Sequence, residues 1–586
     1  MFELHHLSAQ DQWDWLQHGE VSAAELTEHY LSRIERIDPQ LGAFVTVTAD
    51  AARSRAAALD AGDPAVPPRT AALWALPFAD KDLYDRAGVP TRSGSRLLAD
   101  YVAADDHDIV RTMDEAGGVS LGKTATPEFG LSASSELLGG QVTRNPWDLE
   151  LGTGGSSAGA AAAVAAGLLP FAPGSDGGGS IRIPAAATGL VGLKPSRGRV
   201  PAQSGIASIA GLSVGGPIAR TVADTAMLLD AMVSPTGLPA AHPYALRAPD
   251  SPEGAFLGDA MRGEGRFQLA VMTTSPWDDA QDIRIDPGIR AGLEAAVVAL
   301  TGLGHGMEEI ALQPSDYPRL FTTIWKASAT GIPARTPAQL ELLEPVTRWL
   351  VEQGRAMSVE TLLEAQAGLL AFERSVIRQF ASYDAVLTPT LAQSSRPVGW
   401  YSTDDPERNF AQQVAYAPFT SFVNVAGLPA ISLPFAVDGS GMPMGVQLIG
   451  RPGGEAALLS IGRQLERGAR WEHRHPPQWW IGIVDHPDEA AALKHALKDG
   501  SSSARGLFRV APTLMRTLAP VWLSSPYDVP ELPEDQSFDV VIIADAAALC
   551  LAEAAPALRR ARQVVVFGDP VTQRPTPFRV APGRPA

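Results

Sequence analysis

Residues Gly152–Ser196 read GTGGSSAGAAAAVAAGLLPFAPGSDGGGSIRIPAAATGLVGLKPS. The stretch holds two Gly/Ser clusters. The first, Gly154-Gly155-Ser156-Ser157-Ala158-Gly159, opens an alanine-rich run through Leu168. Alanine has the highest intrinsic helix propensity, so the run predicts a helix, closed by Leu169-Pro170. Phe171 to Ser175 is short, apolar and bounded by Pro and Gly, which predicts a buried strand. That strand delivers the chain into the second cluster, Asp176-Gly177-Gly178-Gly179-Ser180.

A serine behind three glycines carries a chemical reading. Glycine admits positive φ and lets a ligand come close to its N–H group. Successive N–H groups in such a turn can converge on one oxygen and form an oxyanion hole, a set of fixed donors placed where charge develops during acyl transfer. The competing reading is a flexible Gly/Ser linker. The flanks oppose it, because Ile181, Ile183, Ala185 to Ala187 and Leu190 to Leu193 are apolar and imply a buried loop whose donors need partners.

The two clusters, with Ile181-Arg182-Ile183-Pro184-Ala185 and Gly189-Leu190-Val191-Gly192-Leu193-Lys194-Pro195, closely resemble the defining motif of the amidase signature family. The resemblance extends upstream to Leu76–Asp82 and Gly122–Phe129. Downstream it takes in Gly198–Pro201, Gly216–Asp224, Tyr383–Thr390 and Gly427–Pro434, so that it spans roughly residues 1 to 478. It implies an α/β fold with a mixed central sheet covered by helices on both faces. It implies a relay in which Ser180 attacks, Ser156 shuttles the proton and neutral Lys81 is the final base, the spacing of Ser156 and Ser180 agreeing with the family. It further implies a cis Gly155–Ser156 peptide and an oxyanion hole from the N–H groups of Gly177, Gly178, Gly179 and Ser180. Asp176 and Arg182 match positions that brace this loop and are read as a local ion pair, and Ser157 is read as structural. Thr143-Arg144-Asn145-Pro146-Trp147 and the small residues around Ser180 resemble those of cyclic-amide and aryl-acylamide hydrolases.

The function expected is hydrolysis of a small or aryl amide through an acyl-enzyme. The alternatives are the glutamine-hydrolysing subunit of a tRNA-dependent amidotransferase, carbamate or ester cleavage on the same site, and an inactive scaffold, against which intact Lys81, Ser156 and Ser180 count. No cofactor or metal is expected. The partner is a small-molecule amide, and a homodimer is left open.

Composition narrows the field. Hydrophobic residues make up 45% and charged residues 19%, a globular balance rather than a disordered one. A net charge of −18 argues against a nucleic-acid partner, which needs clustered Lys and Arg. Cys550 is the one cysteine, so no intrachain disulfide and no cysteine-based metal site can form, and a reducing compartment fits. The start, MFELHHLSAQDQWDW, lacks the basic and apolar regions of a secretory signal, and Ala158 to Ala172 is too short to span a bilayer. A cytoplasmic protein without a membrane segment is expected.

Along the chain, Ser22-Ala23-Ala24-Glu25 forms a capping box that starts a helix to about Ile37. His5, His6 and His29 are expected to be ordinary solvated side chains. Ala72 to Phe78 predicts a strand running up to Lys81, whose apolar approach would carry the amine inside, where desolvation favours its neutral form and makes it a usable base. Gly117 to Thr124 satisfies the pattern of a phosphate-binding loop, yet a helix over Asp108 to Ala116 precedes it and Val119 to Gly122 reads as the strand itself, so nucleotide binding is set aside. Helices are predicted over Leu342 to Glu352, Val359 to Phe380 and Glu455 to Gly468. Strands are predicted over Asp384 to Pro389, Ala430 to Phe435 and Met444 to Ile449. Phe321, Trp325 and Tyr401 are candidate pocket walls, weighed against plain core burial.

After Pro476-Pro477-Gln478 the resemblance ends, which predicts a catalytic domain over 1–478 and a tail over 479–586. Gly500-Ser501-Ser502-Ser503 marks a boundary in the tail. Phe538 to Ile543 and Gln563 to Phe567 predict buried strands. Their continuations, Ala544–Ala547 and Gly568–Thr576, resemble two motifs of P-loop helicases, but Ala544 stands where a magnesium-binding aspartate belongs and Val571-Thr572 where a Lys-Gln pair belongs. The tail is read as a degenerate helicase-like fragment or an interaction segment without ATP turnover.

Overall fold

Eight strands hydrogen-bond into one mixed sheet in the spatial order Gly306–Glu309, Gln268–Val271, Ala385–Pro389, Pro443–Gly450, Ala430–Val437, Val191–Lys194, Val214–Ala219, Phe171–Asp176. The first three run parallel and every later pair is antiparallel. These relationships come from a computed structural model, which describes residues 3–134, 136–137, 140–205, 208–233, 246–471 and 476, and beyond them scattered residues together with the strands Phe538–Ile543 and Ala561–Val566. The chain divides into two compact units, Met1–Pro476 and Pro477–Ala586.

In the first unit the large sheet is flanked by helices, an α/β arrangement in which strands buried on both faces read as continuous apolar or small runs. Val191–Lys194 and Pro443–Gly450 are buried along their whole length. A second sheet of three strands pairs Phe44–Val47 antiparallel and Pro77–Lys81 parallel with the central Val119–Thr124. The Pro77–Lys81 strand packs on Phe171–Asp176 of the large sheet, which brings the ends of two separately hydrogen-bonded strands together.

The alanine run forms its helix over Ala158–Ala165, ending before the expected Leu168 because Gly167 takes φ 68°. All eight of its residues are buried. The reason for small side chains is visible at Gly159, where an added Cβ would lie 2.2 Å from the Ala43 carbonyl oxygen and 2.3 Å from the Ala125 nitrogen. Backbone packs on backbone there, and any larger residue would push the helix off the small sheet.

Several expectations hold with shifted ends. The capping box at Ser22 and Glu25 is present and its helix continues to Leu41. The predicted Ala72–Phe78 strand begins later, at Pro77, and includes Lys81, while Ala75 takes φ 62° in the turn before it. The helix predicted from Leu342 starts at Pro345, and Val359–Phe380 is a helix as predicted. The phosphate-loop pattern is a strand, in which the Lys123 amine donates to Thr91 Oγ1 at 2.8 Å and pairs with Asp82 at 3.2 Å.

The solvated reading of His5 is corrected. His5 is buried, its Nδ1 lies 3.2 Å from His29 Nε2, and Arg220 donates to its carbonyl oxygen, so the N-terminal turn is fixed onto the unit. Burial and the neighbouring Arg33 hold its imidazole below the usual histidine range, and His29 is lowered to about 4, again chiefly by burial.

In the second unit Phe538–Ile543 and Ala561–Val566 pair in parallel, Val541 opposite Val564. The expected boundary at Gly500–Ser503 and the helicase-like stretches Ala544–Ala547 and Gly568–Thr576 lie outside the described residues. Among the described residues no helix is long and apolar enough to cross a membrane.

Candidate active site

Lys81, the last residue of its strand, is fully buried. Its Nζ lies 2.8 Å from Ser156 Oγ, 2.9 Å from Ser157 Oγ and 2.9 Å from Ser175 Oγ. The three hydroxyls come from the turn before the alanine helix and from the strand that follows it. Burial lowers the Lys81 pKa to about 7, against the opposing pull of the Asp176 carboxylate. The shift favours the uncharged amine, and a neutral amine can accept a proton.

The hydroxyls are not equivalent. Ser157 stands at the N-cap of the alanine helix but makes no cap bond; it accepts from Lys81 and donates to the Ser175 carbonyl at 3.3 Å. Its proton is thus committed, and it acts as a brace for the amine. Ser156 Oγ has no hydrogen-bond partner but Lys81 among the described residues, which leaves its proton free to pass to nitrogen. The Gly155–Ser156 peptide is cis.

Asp176 ends the strand and organises the loop that follows. Oδ1 accepts from the Gly179 N–H at 2.8 Å and Oδ2 from the Ile181 N–H at 3.1 Å. Arg182 closes a two-pronged pair, Nε to Oδ2 at 2.9 Å and Nη2 to Oδ1 at 2.8 Å, with both side chains fully buried. Asn424 Nδ2 adds a donor at 2.9 Å, and Gln447 Oε1 accepts the remaining Arg182 Nη1 at 2.7 Å. Burial alone would raise the carboxyl; Arg182 beside it overrides that and holds Asp176 below the ordinary carboxylate range.

This network refines the expected donor set. The Gly179 N–H is spent on Asp176, so Gly179 is not available to an oxyanion. The N–H groups of Gly177, Gly178 and Ser180 have no hydrogen-bond partner among the described residues. Gly179 instead serves by shape, since at φ 131° an added Cβ would lie 2.4 Å from Thr420 Oγ1. The Gly178 carbonyl accepts from that hydroxyl at 2.6 Å.

Ser180 is 8% exposed and its carbonyl accepts from the Ser157 N–H at 3.0 Å, which ties the two Gly/Ser clusters together. It opens onto a cleft of about 500 Å³, the part open to solvent included, lined also by Gly155, Gly178, Ile183 and four aromatic side chains, Trp277, Phe321, Trp325 and Phe410. Phe321 and Trp325, which the sequence offers only as wall candidates without a site assignment, line this cleft. Trp277 and Phe410 were not foreseen. Tyr317, Phe321 and Trp325 recur every fourth residue on the helix Tyr317–Ser328, a signal that marks one aromatic helix face. Tyr401 does not line this cleft but a neighbouring cavity. Asn145 and Trp147 brace the helix Arg182–Thr188 behind the loop, donating to the carbonyls of Ala187 and Thr188 at 2.9 and 2.8 Å.

The chain is similar to amidases of known sequence and structure. A model of the amidase family, described as "Amidase", matches residues 25–459. The putative amidase AmiB2 of Mycobacterium tuberculosis is 37% identical over 468 residues, covering 79% of this chain and 96% of that protein. A glutamyl-tRNA(Gln) amidotransferase subunit of Symbiobacterium thermophilum is 35% identical, with the match covering 78% of this chain and 96% of that protein. Among solved structures, 6-aminohexanoate cyclic dimer hydrolase superposes with a TM-score of 0.72 at 28% identity, covering 81% of this chain and 99% of that one.

The buried pair yields a prediction. Asp176→Asn keeps the shape of the side chain but leaves Arg182 without its counter-charge, and breaking a buried pair in this way costs about 3–5 kcal/mol. The urea unfolding midpoint should fall accordingly. An unchanged midpoint would mean that Asn424 and Thr420 hold the loop without the ion pair.

Proposed function

The chain belongs to the amidase signature family, and from that premise we propose that it hydrolyses a carboxylic amide at Ser180 through an acyl-enzyme, with Ser156 and Lys81 as the proton relay. The observation that carries this reading is a fully buried Lys81 amine within hydrogen-bond distance of Ser156, its pKa lowered to about 7 by burial. An amide resists attack because a serine hydroxyl is a weak nucleophile at neutral pH and the leaving amine is poor. The relay answers both difficulties.

In the forward step Ser180 Oγ forms a bond to the carbonyl carbon, its proton moves to Ser156 Oγ, and the Ser156 proton moves to Lys81 Nζ. The carbonyl oxygen gains the negative charge, and the N–H groups of Gly177, Gly178 and Ser180 are the donors assigned to it. As the carbon–nitrogen bond breaks, the proton returns from Lys81 through Ser156 to the leaving nitrogen. Water then repeats the sequence on the acyl-enzyme and releases the acid. Asp176 and Arg182 are positioning residues that hold the donor loop, and Ser157 positions the amine. The aromatic walls favour an apolar or aromatic group beside the scissile carbonyl. The catalytic unit of this reading is residues 1–478, the tail over 479–586 being a degenerate helicase-like or interaction segment; the single Cys550 supports a cytoplasmic setting.

The likeness to the Symbiobacterium amidotransferase protein favours a second reading, glutamine hydrolysis within a complex that amidates tRNA-bound glutamate. Co-purification of a second protein with the chain, together with activity on glutamine and none on simple anilides, would decide for it. The net charge of −18 gives direct tRNA binding no support.

Four measurable outcomes follow from this reading. Ser180→Ala should abolish both hydrolysis of chromogenic anilides and labelling by a fluorophosphonate while leaving the thermal transition in place; labelling at the wild-type level would remove Ser180 as nucleophile. Because the folded pKa of Lys81 lies below its ordinary value, the active neutral amine is present above about pH 7 and is lost as pH falls through that value. The acid limb of kcat/KM should sit near there, as a value shared by the coupled amine and hydroxyls. Lys81→Arg should be as inactive as Lys81→Ala, since guanidinium stays protonated; a Lys81→Arg enzyme with near wild-type kcat and the same limb would sink the relay. Finally, truncation after Gln478 should leave kcat/KM on anilides within about twofold, because each proposed catalytic group lies upstream. Loss of activity in a folded truncated protein would make the tail part of the site.

A further inference from the structure

Trp277, Tyr317 and Ser421 come from three separate segments and meet at one oxygen. Ser421 Oγ accepts from the Tyr317 phenol at 2.8 Å and from the Trp277 indole N–H at 3.3 Å. An indole nitrogen can only donate. Burial holds the Tyr317 phenol well above its ordinary range, so it keeps its proton. Both lone pairs of the serine oxygen are therefore taken.

Hydrogens outnumber bonds in this group. The indole, the phenol and the serine carry three polar hydrogens, and the two bonds among them use two. Whichever hydroxyl supplies the hydrogen between Tyr317 and Ser421, the other has one left over, and neither has a further acceptor among the described residues. Tyr317 is fully buried and is not a cleft wall, whereas Ser421, 7% exposed, lines the cleft at Ser180. The surplus hydrogen therefore belongs on Ser421, where an incoming ligand can accept it; a buried donor left without a partner costs about 1–3 kcal/mol. The rest of the cleft fixes the kind of acceptor. Gln413 is committed, its Oε1 accepting the Ala133 N–H at 2.8 Å and its Nε2 donating to Asn409 Oδ1 at 2.6 Å. No charged side chain stands among the described lining residues, so an anion would lose its hydration there without a counter-charge. Place follows as well. The Ser421 Cβ lies 3.9 Å from the point where a side chain at Gly178 would begin, beside one of the N–H donors assigned to the substrate carbonyl. The leaving nitrogen has to face Ser156, which lies against Gly130, where an added Cβ would be 3.4 Å from Ser156 Oγ. The Gly178 side of the cleft is thereby left to the acyl group.

We propose that the Ser421 hydroxyl is a specificity-determining donor that binds an uncharged acceptor oxygen, a carbonyl or ether, on the acyl part of the substrate, so that the enzyme prefers oxygen-bearing acyl amides to plain alkanoyl ones. This rests on the amidase reading of the Ser180 site. Trp277 and Tyr317 act through Ser421: by filling its lone pairs they leave it able to donate and unable to accept.

The test scans an acyl chain on the full-length protein. Nitroanilides of a straight-chain acid, with each methylene beyond the α-carbon replaced in turn by a ketone carbonyl, are compared with the parent compound. At one position the ketone-to-parent ratio of kcat/KM should be about fivefold higher in the wild type than in Ser421→Ala, chiefly through KM. Comparing proteins cancels any intrinsic activation of the anilide by the ketone. Tyr317→Phe breaks the same buried bond but leaves the donor in place, so it should keep the wild-type ratio even where its thermal transition falls as far as that of Ser421→Ala. Should Ser421→Ala not fold, Ser421→Cys, a weak donor of similar size, takes its place. Ratios equal in wild type and the Ser421 variant at every position, or lost to the same degree in Tyr317→Phe, overturn the assignment while cleavage of the parent anilide keeps the amidase reading. Should the wild type cleave no anilide, that reading fails instead, and calorimetry with acetophenone against ethylbenzene decides the donor alone: selective binding of the ketone, lost in the Ser421 variant, supports it, and no selectivity rejects it.

Discussion

A carboxylate with no access to water sets the terms for the site. Asp176 is enclosed with Arg182 and satisfied by three backbone N–H groups, two guanidinium nitrogens and the Asn424 amide. Burying such a charge is tolerable only when nearly every lone pair has a partner. The consequence is geometric, because a chain that must bring the N–H groups of Gly179 and Ile181 back to the residue that ends the strand has little freedom between them. The N–H groups of Gly177, Gly178 and Ser180 are left without an internal partner among the described residues. The loop is rigid because its centre is ionic, and its outer surface can be polar because its centre is already satisfied.

Lys81 shows the complementary case, a buried amine without a counter-ion in contact. Burial lowers it to about 7, and burial lowers Lys194 to about 7 as well. The perturbed pKa therefore does not distinguish them. What does is the company: Lys194 Nζ donates to the Pro195 carbonyl at 2.8 Å, a group with no proton to give, whereas Lys81 meets three hydroxyls. A depressed lysine becomes a base for chemistry only where an exchangeable proton is within reach.

Much of the frame was legible in the chain itself. The apolar approach to Lys81, the alternation of helix and strand through Gly152–Ser196, and the Asp176 and Arg182 pairing are local features, and local features are what periodicity and turn chemistry encode. The walls were not legible to the same degree. Phe321 and Trp325 carry helical spacing, but spacing states only that they share a face, not that the face meets Gly178 from a segment well over a hundred residues away. The Gly179 donor was misplaced because the choice between an internal carboxylate and a ligand oxygen depends on how the Asp176 side chain turns. His5 was misread because nothing near a chain end announces that Arg220 and Gly167 will close over it.

The fully buried alanine helix behind the loop has a consequence for how such an enzyme can diversify. With Gly159 pressed against the Ala43 and Ala125 backbone, the rear of the site admits no substitution that adds volume. The front is built from Tyr317–Ser328 and Pro406–Tyr416, segments far from the loop in sequence, whose aromatic rings could change size without disturbing an ionic or backbone contact. Directed evolution toward a new substrate should therefore accumulate its changes in those two helices and leave Gly154–Gly159 untouched, the one half behaving as a fixed engine block and the other as an interchangeable die.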